Sequence, residues 1–322
     1  MKRSRQIFFI GAATLIMLGC YHRFGYPLRN FFDASLCADA YLATVTMPLT
    51  DTYFQTERNV SRKPSVNCSA AIVIDNSTNE ILYQKNADAV RSIASITKLL
   101  TAMVLIDLDL DWAEVVKVSR EDASNSARSR LKIGETFYAS DLFYIMLINS
   151  DNRAARTLAR STGLSNAEFV ARMNQKAKSL GMYDTEIYEV TGLDQRNVST
   201  AMDCARLIDA ALKVKLIATA ATTDRYSYRS LNHKRRRDIV NTNKLLSSGW
   251  SVLGGKTGYI QKSGYCFVTR LCDDNNHDIT VAVLGAPGTN TRFRTARTLA
   301  SWAFKNLNRF DQESHHAERG SD

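Results

Sequence analysis

Ala94-Ser95-Ile96-Thr97-Lys98-Leu99-Leu100-Thr101-Ala102-Met103 is the stretch on which the reading of this chain turns. After Ser95 the apolar residues fall at Ile96, Leu99, Leu100, Met103 and Val104, the spacing of a helix with one buried stripe. Residues three apart on a helix lie side by side, so Lys98 is placed next to Ser95. Ser95 falls in the first turn, where the positive end of the helix dipole favours developing negative charge. The pair reads as a nucleophile and its base. A second Ser-x-x-Lys, Ser129 to Lys132, leads into Ile133-Gly134-Glu135 with no apolar stripe and carries no such reading.

Outward from this helix, Ala70-Ala71-Ile72-Val73-Ile74-Asp75 and Ile81-Leu82-Tyr83-Gln84 flank the polar turn Asn76-Ser77-Thr78-Asn79 and predict a hairpin. On the other side, residues 114–133 are irregular. A buried helix is predicted from about Ala139, then a break at Asn149-Ser150-Asp151-Asn152 and a further helix over 154–159. Ala167 to Leu180 is amphipathic and closed by Gly181. Thr200 to Leu212 is a helix with Ser199 or Thr200 as its cap. Residues 225–240 are polar and basic, including His233-Lys234-Arg235-Arg236-Arg237, and read as a solvated loop or hairpin tip, or else as a contact for anionic lipid or for carboxylates of a polymer. Strand patterns return at 252–258, 264–271 and 279–284, and a last helix is predicted from Thr291 to Leu307. No strand–helix–strand alternation demands a parallel sheet. The expected class is α+β: an antiparallel sheet built from both chain ends and flanked by helices, with an all-helical lobe inserted and a site in the cleft between lobes.

Lys2, Arg3 and Arg5 precede the apolar run Ile7 to Gly19, the pattern of a secretory signal over 1–20. The run is shorter than the ~20 residues of a bilayer span. Met17-Leu18-Gly19-Cys20 reads equally as a lipoprotein leader acylated at Cys20 or as an uncleaved anchor or ordinary cleavage region. Export to the periplasm argues against nucleic acid as the partner of this basic chain, whose formal net charge is +10. The remaining cysteines, Cys37, Cys68, Cys204, Cys266 and Cys272, form no C-x-x-C pair, so no metal site is expected. Cys266 and Cys272 share one predicted strand about 20 Å apart, too far to bridge.

Two later motifs complete the Ser95–Lys98 pair: Ser150-x-Asn152 at the helix break, and Lys256-Thr257-Gly258 at a strand end after two glycines. A Ser hydroxyl is a poor nucleophile and needs a base. Lys98 serves only if neutral, and an ordinary lysine titrates near ~10.4. Burial and the like charge of Lys256 are expected to depress it. Ser150 is expected to relay a proton between Lys98 and a leaving amine. Asn152 would donate to a substrate amide carbonyl, and Lys256 with Thr257 would hold a substrate carboxylate. Gly258 lets substrate backbone lie against the strand. The backbone N–H groups of Ser95 and Tyr259 are the oxyanion-hole candidates. No cofactor is implied.

With these motifs in this order the chain resembles the low-molecular-mass penicillin-binding proteins, the serine D-alanyl-D-alanine peptidases. The likeness runs from about Ser69 to Leu307 and includes Leu180-Gly181-Met182, Thr191-Gly192-Leu193, Asn197-Val198-Ser199-Thr200 and Asn241-Thr242-Asn243-Lys244-Leu245-Leu246. Asn149 to Ala155 and Lys256 to Cys266 are similar to the endopeptidase branch, penicillin-binding protein 7, with Ser263 where that branch often has Ala. The resemblance implies a β-lactamase/transpeptidase-like fold. It also implies cleavage of D-alanyl–diaminopimelate cross-links in peptidoglycan through an acyl-Ser95 enzyme, with β-lactams as inhibitors and possible membrane association. The expected organisation is a penicillin-binding peptidase domain over 64–308 (sheet lobe 64–90 and 225–308, helical lobe 91–224). An extension or linker over 21–63 would precede it and a disordered tail over 309–322 follow it. The chain ends soon after its last helix, which favours the endopeptidase branch over the carboxypeptidases with their extra C-terminal domain. A β-lactamase is the rival enzyme: Glu186 stands at a tempting distance after Ser150, but the Asn expected four residues later is Val190 here. A non-catalytic binder of β-lactams or wall peptides is the rival of another class.

Overall fold

The computed structural model describes residues 54–55, 60–124 and 129–319. The leader over 1–20, including Cys20, lies outside them, as does Cys37. Five strands form the antiparallel body of one sheet: Ala70–Asp75 (β2), Glu80–Lys85 (β3), Ser251–Ile260 (β10), Gly264–Cys272 (β11) and Asp278–Ala286 (β12). A two-residue strand, Phe54–Gln55 (β1), adds to β3 in parallel, giving the order β1-β3-β2-β12-β11-β10, and outside this sheet the short strands Arg91–Ser92 (β4) and Val198–Ser199 (β7) pair with each other. Both chain ends therefore build the sheet, and β10 is an edge.

The continuous apolar run of β2 follows from burial on both faces. Ala71 and Val73 face a long C-terminal helix, Thr289–Arg319 (α7), with Phe267, Val281, Phe293, Leu299 and Ala303. Ala70, Ile72 and Ile74 face the helical lobe with Val268, Ala282 and Leu284. That lobe holds Lys98–Asp107 (α1), Ala139–Ile148 (α2), Asn152–Ser161 (α3), Asn166–Ser179 (α4), Ala201–Leu212 (α5) and Lys215–Thr222 (α6). Helix α2 is apolar all round because it is buried all round, from Leu142 to Ile148. Helix α4 starts on a Ser165–Glu168 capping box, and Thr200 caps α5, accepting from the N–H of Asp203.

Four details differ from the sequence reading. Residues 114–133 are not wholly irregular, because Val115–Lys117 (β5) pairs with Thr136–Tyr138 (β6). Residues 225–240 form a hairpin, Arg225–Arg229 (β8) and Arg236–Val240 (β9), that packs with the helical lobe rather than the sheet lobe. Its Tyr228 and Ile239 enter that lobe's core, Leu231 N–H donates to Thr136 C=O at 2.8 Å, and Arg237 pairs with the buried Glu135. The extension is anchored where it is described: Ser61 N–H donates to Asn306 Oδ1 at 2.8 Å, and Trp302 Nε1–H to Ser61 C=O at 3.3 Å. Helix α7 runs on past Leu307 instead of giving way to a disordered tail, since Phe310 continues its buried stripe and Asp311 meets His277 at 2.8 Å. Among the described residues no helix is long and apolar enough to cross a membrane.

Candidate active site

Ser95 sits in a short 3₁₀ turn, Ala94–Thr97, that leads directly into α1. Ala94 is left-handed (φ 49°), a conformation that costs a non-glycine residue roughly 1–3 kcal/mol and persists only where its surroundings impose it. Two glycines impose it here. A Cβ on Gly192 would lie 2.0 Å from the Ala94 carbonyl oxygen and 2.8 Å from Ser95 N. A Cβ on Gly258 would lie 2.7 Å from the Ile93 carbonyl oxygen and 3.1 Å from Ser95 N. The nucleophile turn is thus gripped between a loop of the helical lobe and the edge strand β10.

Lys98 is fully buried, and its Nζ lies 3.0 Å from Ser95 Oγ. The same nitrogen donates to Asn152 Oδ1 at 2.6 Å and to the Thr191 carbonyl at 2.6 Å. Those two acceptors occupy the two N–H bonds of a neutral amine and turn its lone pair toward the Ser95 hydroxyl. Burial pushes Lys98 down to about 7; Glu189 and Asp151 oppose the shift, and Arg156 adds to it. Lys256 is also buried and held well below its ordinary value, first by burial, then by the charges of Lys98 and Arg292. The expected like-charge effect therefore runs from Lys98 to Lys256. Lys98 itself is depressed by desolvation, with Arg156 as its cationic neighbour.

Ser150, at the break between α2 and α3, is left-handed (φ 59°), and its Oγ accepts from Lys256 Nζ at 2.8 Å. The expected relay is joined on its Lys256 side, which leaves the Ser150 proton free for a leaving group. Asp151 caps α3, accepting from Ala154 N–H at 2.9 Å and from the Ser129 hydroxyl at 3.0 Å. That bond accounts for Ser129 structurally. Asn152 engages Lys98 through its oxygen, so its NH₂ is the group left for substrate. The Thr257 hydroxyl donates to Thr242 Oγ1 at 2.7 Å. Tyr259 is 45% exposed at the cleft edge and stacks on Tyr265 at 4.2 Å. Gly258, where a Cβ would lie 3.1 Å from Ser95 N, immediately precedes Tyr259 on β10.

Of the residues expected in the site, Ser95, Lys98 and Asn152 are joined by hydrogen bonds, Lys256 bonds to Ser150 and to the Thr257 carbonyl, and Gly258 lies against the backbone of Ser95, with Tyr259 next to it on β10. Glu186 does not join them: it is exposed and accepts from the Tyr188 hydroxyl at 2.6 Å. Four residues were not expected. Thr191 supplies a carbonyl, Gly192 a missing Cβ and Thr242 a hydroxyl. Buried Arg292 donates to the carbonyls of Gly258 at 3.0 Å and Cys266 at 3.2 Å, pinning the strand end. Burial lowers Arg292 to about 10. Thr191, Gly192 and Thr242 lie in stretches that carry the family likeness, but nothing in those stretches gives them a role at the site, and Arg292 has no local signal. The described cysteines, Cys68, Cys204, Cys266 and Cys272, are free thiols. Among the described residues no group of acidic, His or Cys side chains is placed to hold a metal ion.

Residues 57–288 match the family model described as D-alanyl-D-alanine carboxypeptidase. The chain is 35% identical over 243 residues to the D-alanyl-D-alanine endopeptidase of Escherichia coli (strain K12), covering 74% of this chain and 78% of that protein. It is 36% identical over 236 residues to the D-alanyl-D-alanine endopeptidase of Pseudomonas aeruginosa, covering 72% and 76%. Among solved structures, the Streptomyces K15 DD-transpeptidase superposes with a TM-score of 0.72 at 25% identity, covering 76% of this chain and 100% of that one.

Proposed function

This chain belongs to the D-alanyl-D-alanine carboxypeptidase family of serine hydrolases, and on that premise we propose that it is an exported, penicillin-sensitive DD-endopeptidase that cleaves D-alanyl–diaminopimelate cross-links of peptidoglycan. The observation that carries the reading is the Lys98 amine, with two N–H bonds spent on carbonyls and its remaining position on Ser95 Oγ. Ser95 Oγ attacks the D-alanyl carbonyl carbon, and its proton passes to Lys98. The oxyanion faces the N–H groups of Ser95 and Tyr259. As the C–N bond breaks, the Ser150 hydroxyl protonates the leaving amine and takes up in turn the proton that Lys98 received from Ser95, so that Lys98 is neutral again when the acyl-enzyme has formed. Water then hydrolyses the acyl-Ser95 ester.

In a cross-link the leaving amine belongs to a D-centre that carries its own carboxylate. Lys256 and Thr257 suit that carboxylate as they suit the terminal one of D-alanyl-D-alanine. The site chemistry therefore serves endopeptidase and carboxypeptidase alike, and the endopeptidase-named relatives favour the first. The basic start followed by an apolar run supports a periplasmic location, with Cys20 as a lipid attachment point or, equally, the run as an uncleaved anchor or a cleaved signal. Purified protein incubated with a cross-linked muropeptide dimer and, separately, a pentapeptide monomer tests the reading. Dimer cleavage without D-alanine release from the monomer is the expected result; the reverse makes it a carboxypeptidase. Fast sustained turnover of nitrocefin would make it a β-lactamase. Labelling by fluorescent penicillin with no product from either substrate would make it a binder.

A further inference from the structure

We infer that Glu189 is a positioning residue for acylation: its carboxylate folds the 189–194 loop into the shape that sets both Lys98 and Ser95. The loop lies between α4 and α5, and the carboxylate sits inside it as an internal anion. Oε2 accepts from Thr191 N–H at 2.8 Å and from the Thr191 hydroxyl at 2.7 Å. Oε1 accepts from Gly192 N–H, from Leu193 N–H at 2.8 Å and from Asn197 Nδ2 at 3.3 Å. Successive backbone N–H groups converging on one anion form a nest, and here the anion is supplied by the chain itself.

Two consequences reach the reacting atoms. The nest turns the Thr191 carbonyl outward onto Lys98 Nζ, the 2.6 Å bond that takes one of the amine's N–H groups. It also holds Gly192 at φ 84°, backbone against backbone with Ala94 and Ser95. The loop is tied to α1 on both sides of this contact. The Thr101 hydroxyl donates to the Val190 carbonyl at 2.7 Å, and Asn197 Nδ2 donates to Thr97 Oγ1 at 3.2 Å and to the Glu189 carbonyl at 2.8 Å. With both oxygens taken by these donors, Glu189 is not placed to activate water; it acts by shaping Thr191 and Gly192 and by its charge beside Lys98.

The charged groups around Lys98 are Glu189 in this loop, Asp151 and Arg156 on either side of the α3 start, and Lys256 on β10. Glu189 is foremost among those that oppose the depression of Lys98. Removing its charge therefore lowers the pH at which Lys98 becomes a base.

The test is the rate of Ser95 acylation by a fluorescent penicillin, measured from pH 5 to pH 9 on the full chain as wild type, Glu189→Gln and Glu189→Asp. The inference rests on Ser95 acylation but not on the endopeptidase assignment. A wild type that fails to label removes the acylation reading itself; a wild type that labels isolates the role of Glu189. Glu189→Gln is expected to slow acylation roughly 10²-fold, the cost of an ångström-scale misplacement, and to move the acid limb to lower pH. Glu189→Asp is expected to recover part of the rate with its limb where the wild type has it. A Glu189→Gln rate like wild type overturns the inference, and so does a slower rate with an unmoved limb, which would mark a purely structural role. Should Glu189→Gln not fold, Thr191→Val strips one donor from the same carboxylate. Acylation slowed about tenfold in the folded variant supports the inference, and an unchanged rate overturns it.

Discussion

The cleft has two walls, and each delivers one fully buried lysine. Lys98 comes from the helix wall and Lys256 from the strand wall. Their surroundings differ. Burial pushes Lys98 down to about 7 against the opposing charges of Glu189 and Asp151, and two carbonyl oxygens hold its amine. Lys256 has the Ser150 hydroxyl and the Thr257 carbonyl, and its charged neighbours are the cations Lys98 and Arg292. Among the described residues the charges that act on Lys256 are both positive, whereas Lys98 has carboxylates beside it. On the proposed reading the difference separates a base from a receptor: Lys98 is tuned by the protein, whereas Lys256 would take a substrate carboxylate that restores its charge.

The sharpest way to break this comparison is to remove the reacting groups. Ser95→Ala is expected to abolish covalent penicillin labelling. Lys98→Met is expected to slow it roughly 10⁴–10⁶-fold, as when a member of a concerted catalytic unit is lost, with a β-lactam carrying its carboxylate and with the corresponding methyl ester alike. Lys256→Met should behave differently. Losing one partner of a buried charge pair costs about 2–5 kcal/mol, so acylation by the carboxylate form should fall some 10²–10³-fold. The ester should react with wild type and Lys256→Met at similar rates. Stopped-flow acylation with both ligands reads the outcome, and equal losses on both would assign Lys256 to the chemistry instead of to recognition.

The two walls were not equally legible in the sequence. Ser95, Lys98, Ser150, Asn152 and Lys256 act through their side chains at short fixed spacings, so residue type and spacing located them. Thr191 and Gly192 act through a carbonyl and the absence of a Cβ, which any loop could offer; only the fold says which loop is pressed on Ser95. Arg292 bonds to backbone carbonyls of two strands from a distant helix, and no local pattern announces that. In the 225–240 hairpin the exposed arginines mask the buried alternates, Tyr228 and Ile239, that seat it on the helical lobe. The continuation of α7 is legible: Phe310 follows Leu307 by three, in step with the stripe from Phe293 onward.

A smaller perturbation bears on the grip itself. Gly192→Ala places a methyl 2.0 Å from the Ala94 carbonyl oxygen on a residue at φ 84°. The nucleophile turn must shift, and acylation is expected to slow roughly 10²-fold while the carboxylate-to-ester preference set by Lys256 is kept. Loss of that preference would mean that the two walls are not independent.

The smallest effect is on stability, and it sharpens what holding Lys98 ready costs. Its folded pKa, about 7, lies below its ordinary value. Folding at neutral pH must therefore strip part of its proton or bury the charge, whereas above ~10.4 it costs nothing. The penalty grows as pH falls and is complete below about 7, where it amounts to about 5 kcal/mol at 1.36 kcal/mol per pKa unit. Lys98→Met removes it but strands the Thr191 carbonyl and Asn152 Oδ1, each at about 1–3 kcal/mol. The two terms nearly offset at pH 7, so their different pH dependence separates them: relative to wild type, Lys98→Met is expected to lose about 4 kcal/mol of stability between pH 6.5 and pH ~10, where only the stranded acceptors remain. Chemical denaturation of both proteins at pH 6.5, 8 and 10 reads the change. A stability difference that stays constant over that range would show that Lys98 is an ordinary paired cation, and that the helix wall, like the strand wall, depends on substrate to set its charge.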